Sequence, residues 1–334
     1  MIDLALLGAG RIGKVHAEAI STIGDARLKY VFDPVEEAAC SVIEQCGAVA
    51  APLEHILDDH DIRGVLICTP SDQHAEQIKL SVLAGKAVFC EKPISTDLET
   101  TRHTLEVVER NEGMLMLGFQ RRFDKHFSAL KRKIVDQTYG LVEQILIISR
   151  DPSPPPYSYM KASGGLFKDM TIHDFDMARW LVDEPIATVY ATGQALVDPT
   201  TRIEGDDIDT ASVLMTTVSG KQITILNSRR ASVGYDQRIE AHCAKATLQV
   251  NSVREDSVLV LDQTGISESP LEHFFMTRYK DAYRREIAHF VDCLITGSAP
   301  LVTGADGLEA LVLAEAAGES LRSGRQVSCQ ICLS

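Results

Sequence analysis

The feature that most constrains the fold is a set of three closely spaced glycines near the start of the chain. Gly8, Gly10 and Gly13 form a GxGxxG pattern directly after the apolar run at residues 2–7. Such a run is typical of a strand buried on both faces, and residues 11–23 have the pattern of a helix. Between strand and helix, the first glycine permits a tight turn and the second lets a pyrophosphate approach. The third lets the helix pack on the strand.

This context predicts a dinucleotide-binding turn, with the anion held by the free N–H groups at the helix N-terminus. Arg11 and Ile12, between the last two glycines, are included among the predicted cofactor contacts. Asp33 ends the second predicted strand, at residues 26–32, and lies 20 residues after Gly13. A carboxylate there accepts hydrogen bonds from the adenosine ribose and repels the 2′-phosphate of NADP. A charge-assisted hydrogen bond contributes ~1.5–3 kcal/mol, so we expect NAD to be preferred by at least about tenfold.

The order of predicted elements divides the chain into two domains. Strands and helices alternate through residue 120, which predicts a Rossmann domain with a doubly wound parallel sheet at residues 1–120. After one predicted helix at residues 121–137, strands dominate, and a further helix is predicted at residues 169–181. The predicted strands lie at residues 142–149, 188–196, 210–217, 222–228, 237–243, 246–250 and 257–261. They indicate an α+β domain at residues 121–334 with a large, mostly antiparallel sheet.

Charge and hydropathy exclude several classes of partner. A formal net charge of −14 repels phosphate, which argues against nucleic acid and anionic membranes. No apolar run approaches the ~18–20 residues that a membrane span requires. The apolar N-terminal segment lacks a basic leader and ends at the glycines, so we read it as a strand and expect a cytoplasmic protein. Such a compartment is reducing, and we expect the eight scattered cysteines to be unpaired.

A second set of motifs carries a family resemblance. Residues 90–93 read Cys-Glu-Lys-Pro at the end of a predicted parallel strand, and residues 164–176 contain Gly-Gly-Leu-Phe-Lys-Asp followed by His-Asp-Phe-Asp. Together with GxGxxG, these motifs resemble the glucose–fructose oxidoreductase and inositol dehydrogenase family. Residues 118–124 (GFQRRFD) and 234–236 (GYD) resemble elements of the inositol-oxidising members. The resemblance covers essentially the whole chain, and the motifs occur in the family's order.

The resemblance implies a set of functional residues. It implies a catalytic trio of Lys92, Asp169 and His173. The implied cofactor contacts, beyond the glycine turn, Asp33 and Lys92, are Thr69, Pro70, His74, Glu91, Gln120 and Tyr283. The implied substrate contacts, beyond the trio, are Arg121, Ser149, Asp151 and Tyr235. The resemblance also suggests a homotetramer. One departure is Met170, where some members have a small hydroxyl residue, and this leaves the preferred stereoisomer open.

The chemistry of alcohol oxidation suits this trio. A hydride leaves for the nicotinamide, and a base with a near-neutral pKa takes the proton, for which histidine is the usual choice. His173 is four residues after Asp169, a spacing that puts both side chains on one face of a helix. We assign His173 as the proton acceptor and Asp169 as the ligand of a substrate hydroxyl. Lys92 would stabilise alkoxide character on the reacting oxygen.

Two possible metal sites are weak. Cys329 and Cys332 form a single CxxC pair, whereas a structural zinc needs four ligands. His173, Asp174 and Asp176 occupy helical positions that do not share one face, so they would converge poorly on an ion. We therefore expect no metal.

The expected substrate is a small neutral polyol, because the candidate residues offer hydroxyl-binding groups rather than a cation clamp for an anion. The resemblance selects an inositol, and myo-inositol first. Oxidation of scyllo-inositol or of a glucose-like sugar is the first alternative. A non-catalytic NAD-binding regulator on the same fold is the second, although Lys92, Asp169 and His173 are all present and favour an enzyme.

Overall fold

The computed structural model describes residues 1–329. Its strands are β1 (Ile2–Leu7), β2 (Ala26–Phe32), β3 (Val49–Ala50), β4 (Ile62–Ile67), β5 (Ala87–Glu91), β6 (Leu115–Gly118), β7 (Val142–Arg150), β8 (Ile186–Gln194), β9 (Thr210–Thr217), β10 (Gln222–Ser228), β11 (Asp236–Cys243), β12 (Ala246–Val250), β13 (Leu259–Asp262), β14 (Gly265–Glu268) and β15 (Val327–Ser328). Its α-helices are α1 (Arg11–Ser21), α2 (Glu36–Cys46), α3 (Leu53–Asp58), α4 (Ser71–Leu83), α5 (Leu98–Arg110), α6 (Lys125–Val135), α7 (Tyr157–Ser163), α8 (Ile172–Val182), α9 (Thr201–Glu204), α10 (Phe275–Arg278), α11 (Lys280–Thr296) and α12 (Gly304–Ser323).

Two compact units make up the chain. The first contains Met1–Phe123 and Lys280–Leu311, and the second contains Asp124–Tyr279 and the described residues after Leu311. The predicted domain boundary at residue 120 places α11 in the second domain. In the structure, α11 belongs to the first unit. The physical reason is its apolar face: the Phe290 ring lies 6.0 Å from that of Phe89 in β5. Phe290 and Leu294 also lie against Gly64 of β4.

A six-stranded parallel sheet forms the centre of the first unit, in the order β3-β2-β1-β4-β5-β6. The prediction of a doubly wound Rossmann sheet is confirmed. Strands β1 and β4 are neighbours although they are not consecutive, so the strand order reverses between them. Ligands bind at such a switch point, beyond the carboxyl ends of the strands. Five of the predicted cofactor contacts follow those ends directly or within two residues: Gly8, Asp33, Thr69, Lys92 and Gln120.

The second unit is built on a seven-stranded sheet in the order β12-β11-β7-β10-β9-β8-β15. Only the β7–β10 pair is parallel among its described strands, which confirms the predicted large, mostly antiparallel sheet. The predicted strand at residues 257–261 does not extend this sheet. It forms instead β13, which pairs with β14 in a separate hairpin. The Asp262 carboxylate accepts a hydrogen bond from the backbone N–H of Thr264 and so closes the hairpin turn.

Two helix predictions need correction. The single helix predicted at residues 121–137 is a 3₁₀ turn, Gln120–Phe123, followed by α6. The break occurs at Asp124, whose carboxylate caps α6 by accepting the N–H groups of His126 and Phe127. The helix predicted at residues 169–181 begins as a π turn, Phe167–Thr171, and continues as α8. The short elements β3 and α3 were not predicted, because neither is long enough to show a hydrophobic period.

Among residues 1–329, no helix combines the length and the apolar character needed to cross a bilayer. The same residues contain no group of three or more His, Cys, Asp or Glu side chains arranged to hold a metal ion. Cys332 lies outside the described residues. Burial raises the pKa of its partner in the CxxC pair, Cys329, to about 11.

An ion pair at the edge of the first unit makes stability depend on pH. The Lys29 ammonium donates to the Asp59 carboxylate at 2.7 Å and lowers the pKa of Asp59 to about 2. Because the pKa of Asp59 is lower in the folded protein than in the unfolded chain, the ion pair stabilises the fold at pH values above the unfolded-state pKa. This stabilisation is lost as the pH falls from about 4 through 2. We therefore expect Asp59→Asn to lower Tm near pH 7 and to have little effect near pH 2. The exposed Asp61, 3.2 Å from Lys29, is the control, and Asp61→Asn should change Tm less. A Tm difference for Asp59→Asn that is constant across this range would refute the assignment.

Candidate functional site

The three glycines of the first turn have separable roles. Gly8 has φ +93°, and a Cβ there would lie 2.6 Å from the Cys68 carbonyl group. A Cβ at Gly13 would lie 2.0 Å from the Gly8 carbonyl oxygen. A Cβ at Gly10 would meet no described atom within 4 Å. The fold itself thus requires glycine at positions 8 and 13, whereas Gly10 borders open space where a pyrophosphate can approach the backbone.

The amino terminus of α1 begins at this turn. Gly10 is its N-cap residue, and within residues 1–329 no side chain caps this end of α1. Its first-turn N–H groups and the positive end of the helix dipole are therefore available to an anion. Ile12 is half-buried and Arg11 is exposed.

Asp33 is tied to the glycine turn by its own hydrogen bonds. Oδ2 accepts the backbone N–H of Ala9 at 2.6 Å, and Oδ1 accepts that of Val35 at 2.8 Å. Each carboxylate oxygen has a second lone pair, which is left for a ribose hydroxyl. The carboxylate is thus fixed beside the turn before any ligand binds. An NAD adenosine fits this arrangement, and a 2′-phosphate does not.

His74, a predicted cofactor contact, lies between two loops of the first unit. Its side chain is buried, with Nδ1 2.7 Å from the Pro93 carbonyl and Nε2 2.8 Å from the Thr69 carbonyl. Burial lowers the pKa of His74. Because both ring nitrogens face backbone carbonyls, His74 holds together the loops after β4 and β5, and its contact with the cofactor stays a prediction. Thr69 is half-buried, and the exposed Pro70 is the N-cap residue of α4.

Glu91 and Tyr283 share a neighbour that no sequence motif indicated. The buried His16 of α1 lies with Nε2 2.6 Å from the Glu91 carboxylate, and its ring is edge-on to Tyr283 at 5.6 Å. The position of His16, three residues after Gly13 on the predicted helix, was the available signal. Lys92 follows Glu91 and is half-buried, whereas Gln120 and Arg121 are almost fully buried. The first unit therefore links the helix of the glycine turn to the strand that ends at Lys92.

In the second unit, Asp169 lies in the π turn and His173 in the first turn of α8. The Thr171 hydroxyl donates to the Asn227 amide oxygen at 2.7 Å, and the carbonyl of Leu166, five residues earlier, lies 3.3 Å from the same hydroxyl within the wide turn. Single π turns inside α-helices are frequent at functional sites. Both oxygens of Asp169 are engaged: Oδ1 accepts the Tyr159 hydroxyl at 3.0 Å, and Oδ2 accepts Nη2 of Arg229 at 2.9 Å.

Arg229 is a candidate site residue that the sequence patterns did not indicate. Its side chain is 3% exposed, and its Nη1 also lies 3.3 Å from Asp151 Oδ2. The parallel register of β7 with β10 pairs Ser149 with Asn227, and Asp151 and Arg229 come two residues later on the same face. The signal was available: Ile223 and Ile225 alternate toward the core, so Arg229 continues the buried face. A buried arginine requires carboxylate partners.

Two further implied substrate contacts, both in the second unit, are buried. Ser149 is 1% exposed, and its hydroxyl donates to Asp174 at 2.5 Å, while the Asn227 amide donates to the other Asp174 oxygen at 2.8 Å. Ser149 therefore belongs to a buried polar network beneath α8, and this geometry does not support the direct substrate contact. Tyr235 is also buried, edge-on to Tyr279 at 6.0 Å. Met170 is buried too and presents no hydroxyl.

Comparison with known proteins matches both parts of the chain to family models. Residues 2–119 match an oxidoreductase family with an NAD-binding Rossmann fold. Residues 127–249 match the GFO/IDH/MocA C-terminal domain. The two matched segments together include Lys92, Asp169, His173 and Arg229.

Similar proteins align over almost the full length. The inositol 2-dehydrogenase of Rhizobium meliloti is 47% identical over 98% of this chain and 99% of its own length. A myo-inositol dehydrogenase structure from Corynebacterium glutamicum has a TM-score of 0.93 at 40% identity, covering 98% of both chains. A scyllo-inositol dehydrogenase from Lactobacillus casei, solved with bound NAD(H) and scyllo-inositol, has a TM-score of 0.92 at 30% identity. It covers 98% of this chain and 99% of its own.

Proposed function

Because the chain belongs to the GFO/IDH/MocA oxidoreductase family, we propose that it oxidises a ring hydroxyl of myo-inositol to the ketone with NAD. The observation that supports this most strongly is the 47% identity, over 98% of the chain, to an inositol 2-dehydrogenase. Candidate cofactor-binding residues are in the first unit, and candidate hydroxyl-binding carboxylates are in the second.

Three side chains of this protein carry the proposed chemistry. Bound NAD supplies the hydride acceptor. The imidazole of His173 takes the proton of the reacting hydroxyl. The Lys92 ammonium donates a hydrogen bond to the same oxygen and stabilises its developing negative charge. The Asp169 carboxylate accepts a hydrogen bond from a substrate hydroxyl and orients the ring.

The character of the second unit favours a neutral polyol over an anion. Sugar phosphates and hydroxy acids usually need a free arginine or lysine clamp. Arg229, the buried cation beside Asp169, is already paired with two carboxylates. Asp151 and Asp169 would repel a phosphate, and both can accept hydrogen bonds from hydroxyl groups. The net charge of −14 does not attract an anionic substrate to the protein.

A turnover screen tests the proposal. The purified protein with NAD is assayed on myo-inositol, scyllo-inositol, glucose and glucose 6-phosphate, and kcat/KM is compared. We expect myo-inositol to have the highest value. A higher value for scyllo-inositol or glucose would change only the isomer or ring assigned. A higher value for glucose 6-phosphate would contradict the neutral-polyol argument, and NAD binding without any turnover would favour a regulator.

The position of Asp33 predicts the cofactor preference. We expect kcat/KM with NAD to exceed that with NADP by at least about tenfold, since a charge-assisted hydrogen bond is replaced by repulsion. Asp33→Ser should reduce the ratio of kcat/KM with NAD to kcat/KM with NADP. It should also weaken NAD binding, because the N–H of Ala9 loses its carboxylate acceptor. Equal kcat/KM for both cofactors in the unmodified protein would show that Asp33 does not face the ribose.

We also propose that the protein is a cytoplasmic tetramer. All seven described cysteines are unpaired, as in a reducing compartment. Tyr190 and Leu214, paired neighbours on β8 and β9, are 41% and 47% exposed and so leave an apolar area on the outer face of the large sheet. Face-to-face packing between subunits would cover it. Sedimentation equilibrium measures the subunit number, and a monomer at micromolar concentration would contradict this part.

A further inference from the structure

We propose that Arg229 is a positioning residue of this site: it holds the Asp151 and Asp169 carboxylates together and oriented toward the polyol. This inference rests on the proposed function, because it assigns the two carboxylates to the binding of substrate hydroxyls. Arg229 carries no recognised motif and lies outside the catalytic trio.

The geometry of the guanidinium is that of a bridge. Nη2 lies 2.9 Å from Asp169 Oδ2, and Nη1 lies 3.3 Å from Asp151 Oδ2. The Arg229 side chain is 3% exposed, while those of Asp151 and Asp169 are 19% and 10% exposed. The cation is thus sealed behind the two acids, and the acids keep some exposure. A planar guanidinium has its donors fixed in a fork, so it sets the distance between the two carboxylates as well as their charge.

The three residues come from three separate elements. Asp151 follows β7, Arg229 follows the neighbouring parallel strand β10, and Asp169 lies in the π turn before α8. The backbone N–H of Asp151 donates to the Ser228 carbonyl, and that of Arg229 donates to the Asp209 carbonyl at 2.7 Å. The strand ends are therefore fixed by backbone hydrogen bonds. Arg229 transmits this rigidity to Asp169, which otherwise belongs to an irregular helical turn.

A third acid makes the cation necessary. Asp207 accepts the backbone N–H of Leu166 at 3.1 Å, and burial raises the pKa of Asp207. Its carboxylate lies so close to Gly165 that a Cβ there would be 2.8 Å from Oδ1. Gly165 has φ +83°, so this position requires glycine for two reasons. Without Arg229, Asp151 and Asp169 would repel each other beside Asp207, and the two carboxylates would move apart.

Tyr159 alone cannot replace this restraint. Its hydroxyl donates to Asp169 Oδ1, but the residue is 50% exposed. A hydrogen bond from an exposed side chain competes with water and fixes the carboxylate only weakly. The buried Arg229 is the stronger of these two constraints on Asp169, and the one that also reaches Asp151.

The test compares Arg229→Gln and Arg229→Lys with Lys221→Gln. Lys221 is the control because it precedes β10, at the opposite end from Arg229, and its ion pair with Glu184 at 3.1 Å lies in the same unit. At ~3.3 Å per residue, the two positions are roughly 25 Å apart along the strand. For each variant, Tm, the Kd of NAD, and kcat and KM for the polyol that the unmodified protein oxidises are measured.

We expect Arg229→Gln to lower kcat/KM for the polyol by about 100-fold, because misplacement of a substrate-binding group by about 1 Å has that effect. Its KM for the polyol should rise while the Kd of NAD stays within about threefold. Arg229→Lys should recover only part of the lost kcat/KM, because the ammonium keeps the positive charge but bridges two carboxylates poorly. Lys221→Gln should lower Tm and leave the polyol constants unchanged.

The outcomes separate this inference from the proposed function. Failure of the unmodified protein to oxidise any polyol would contradict both. An active unmodified protein with polyol constants unchanged in Arg229→Gln would contradict the positioning role alone. If Arg229→Gln does not fold, the Arg229→Lys variant decides. A kcat and KM for the polyol equal to those of the unmodified protein would overturn the positioning role. A raised KM for the polyol with an unchanged Kd of NAD would support it.

Discussion

Replacement of His173 or Lys92 by alanine should reduce turnover of the polyol by ~10²–10⁴-fold, the usual contribution of an acid–base group. His173→Ala removes the group that takes the proton, and Lys92→Ala removes the cation that stabilises the oxygen. NAD affinity should survive His173→Ala, because His173 lies in the second unit and the glycine turn in the first. Steady-state kcat and the Kd of NAD, measured by fluorescence titration, check this result.

A histidine of the same unit provides the control. His126, in the first turn of α6, is half-buried like His173, and His126→Ala should leave kcat within about threefold of the unmodified value. An equal loss of kcat in both histidine variants would indicate a general effect on folding. A His173→Ala protein with nearly unmodified kcat would remove His173 from the mechanism.

Gly10→Ala should weaken NAD binding by about 100-fold and leave Tm unchanged. The added Cβ meets no described atom within 4 Å, so the fold tolerates it. It would occupy the space through which the pyrophosphate approaches the backbone, with loss of about 3 kcal/mol of charge-assisted hydrogen bonding. Differential scanning fluorimetry gives Tm, and isothermal titration calorimetry gives the Kd of NAD.

Two other glycines complete this experiment. Gly24→Ala also places its Cβ in open space, but outside the turn, and should alter neither Tm nor NAD affinity. Gly13→Ala forces a Cβ to 2.0 Å from the Gly8 carbonyl oxygen and should lower both. Unchanged NAD affinity in Gly10→Ala would show that the pyrophosphate does not approach at Gly10.

The sequence predicted those parts of the molecule that depend on local patterns. Strands β1, β2, β9, β10 and β12 have the predicted bounds, because each is a hydrophobic run or alternation ended by polar or turn residues. The break at Asp124 was missed because the basic residues before it continue a helical pattern. The sequence did not predict that α11 packs in the first unit, because a hydrophobic period shows that a helix is amphipathic but not which core it covers.

The candidate site was predictable where a motif fixes a residue, and not where a side-chain network does. Gly8 and Gly13 follow from a backbone requirement that the structure shows, because a Cβ at either position would clash with backbone atoms. The burial of Ser149 against Asp174, and the bridge from Arg229 to two acids, depend on the register of β7 with β10. Periodicity gives the face of each strand, but not which strands are neighbours.

Transfer of a deuterium label is the most direct test of the central claim, that a ring C–H of myo-inositol is the hydride donor to NAD. The protein is incubated with NAD and myo-inositol deuterated at the carbon of the reacting hydroxyl, and the reduced cofactor is analysed by mass spectrometry. The account predicts one deuterium in each molecule of reduced cofactor, and one equivalent of ketone. Reduced cofactor without deuterium would contradict it, as would a protein that reduces NAD with a sugar phosphate but not with myo-inositol.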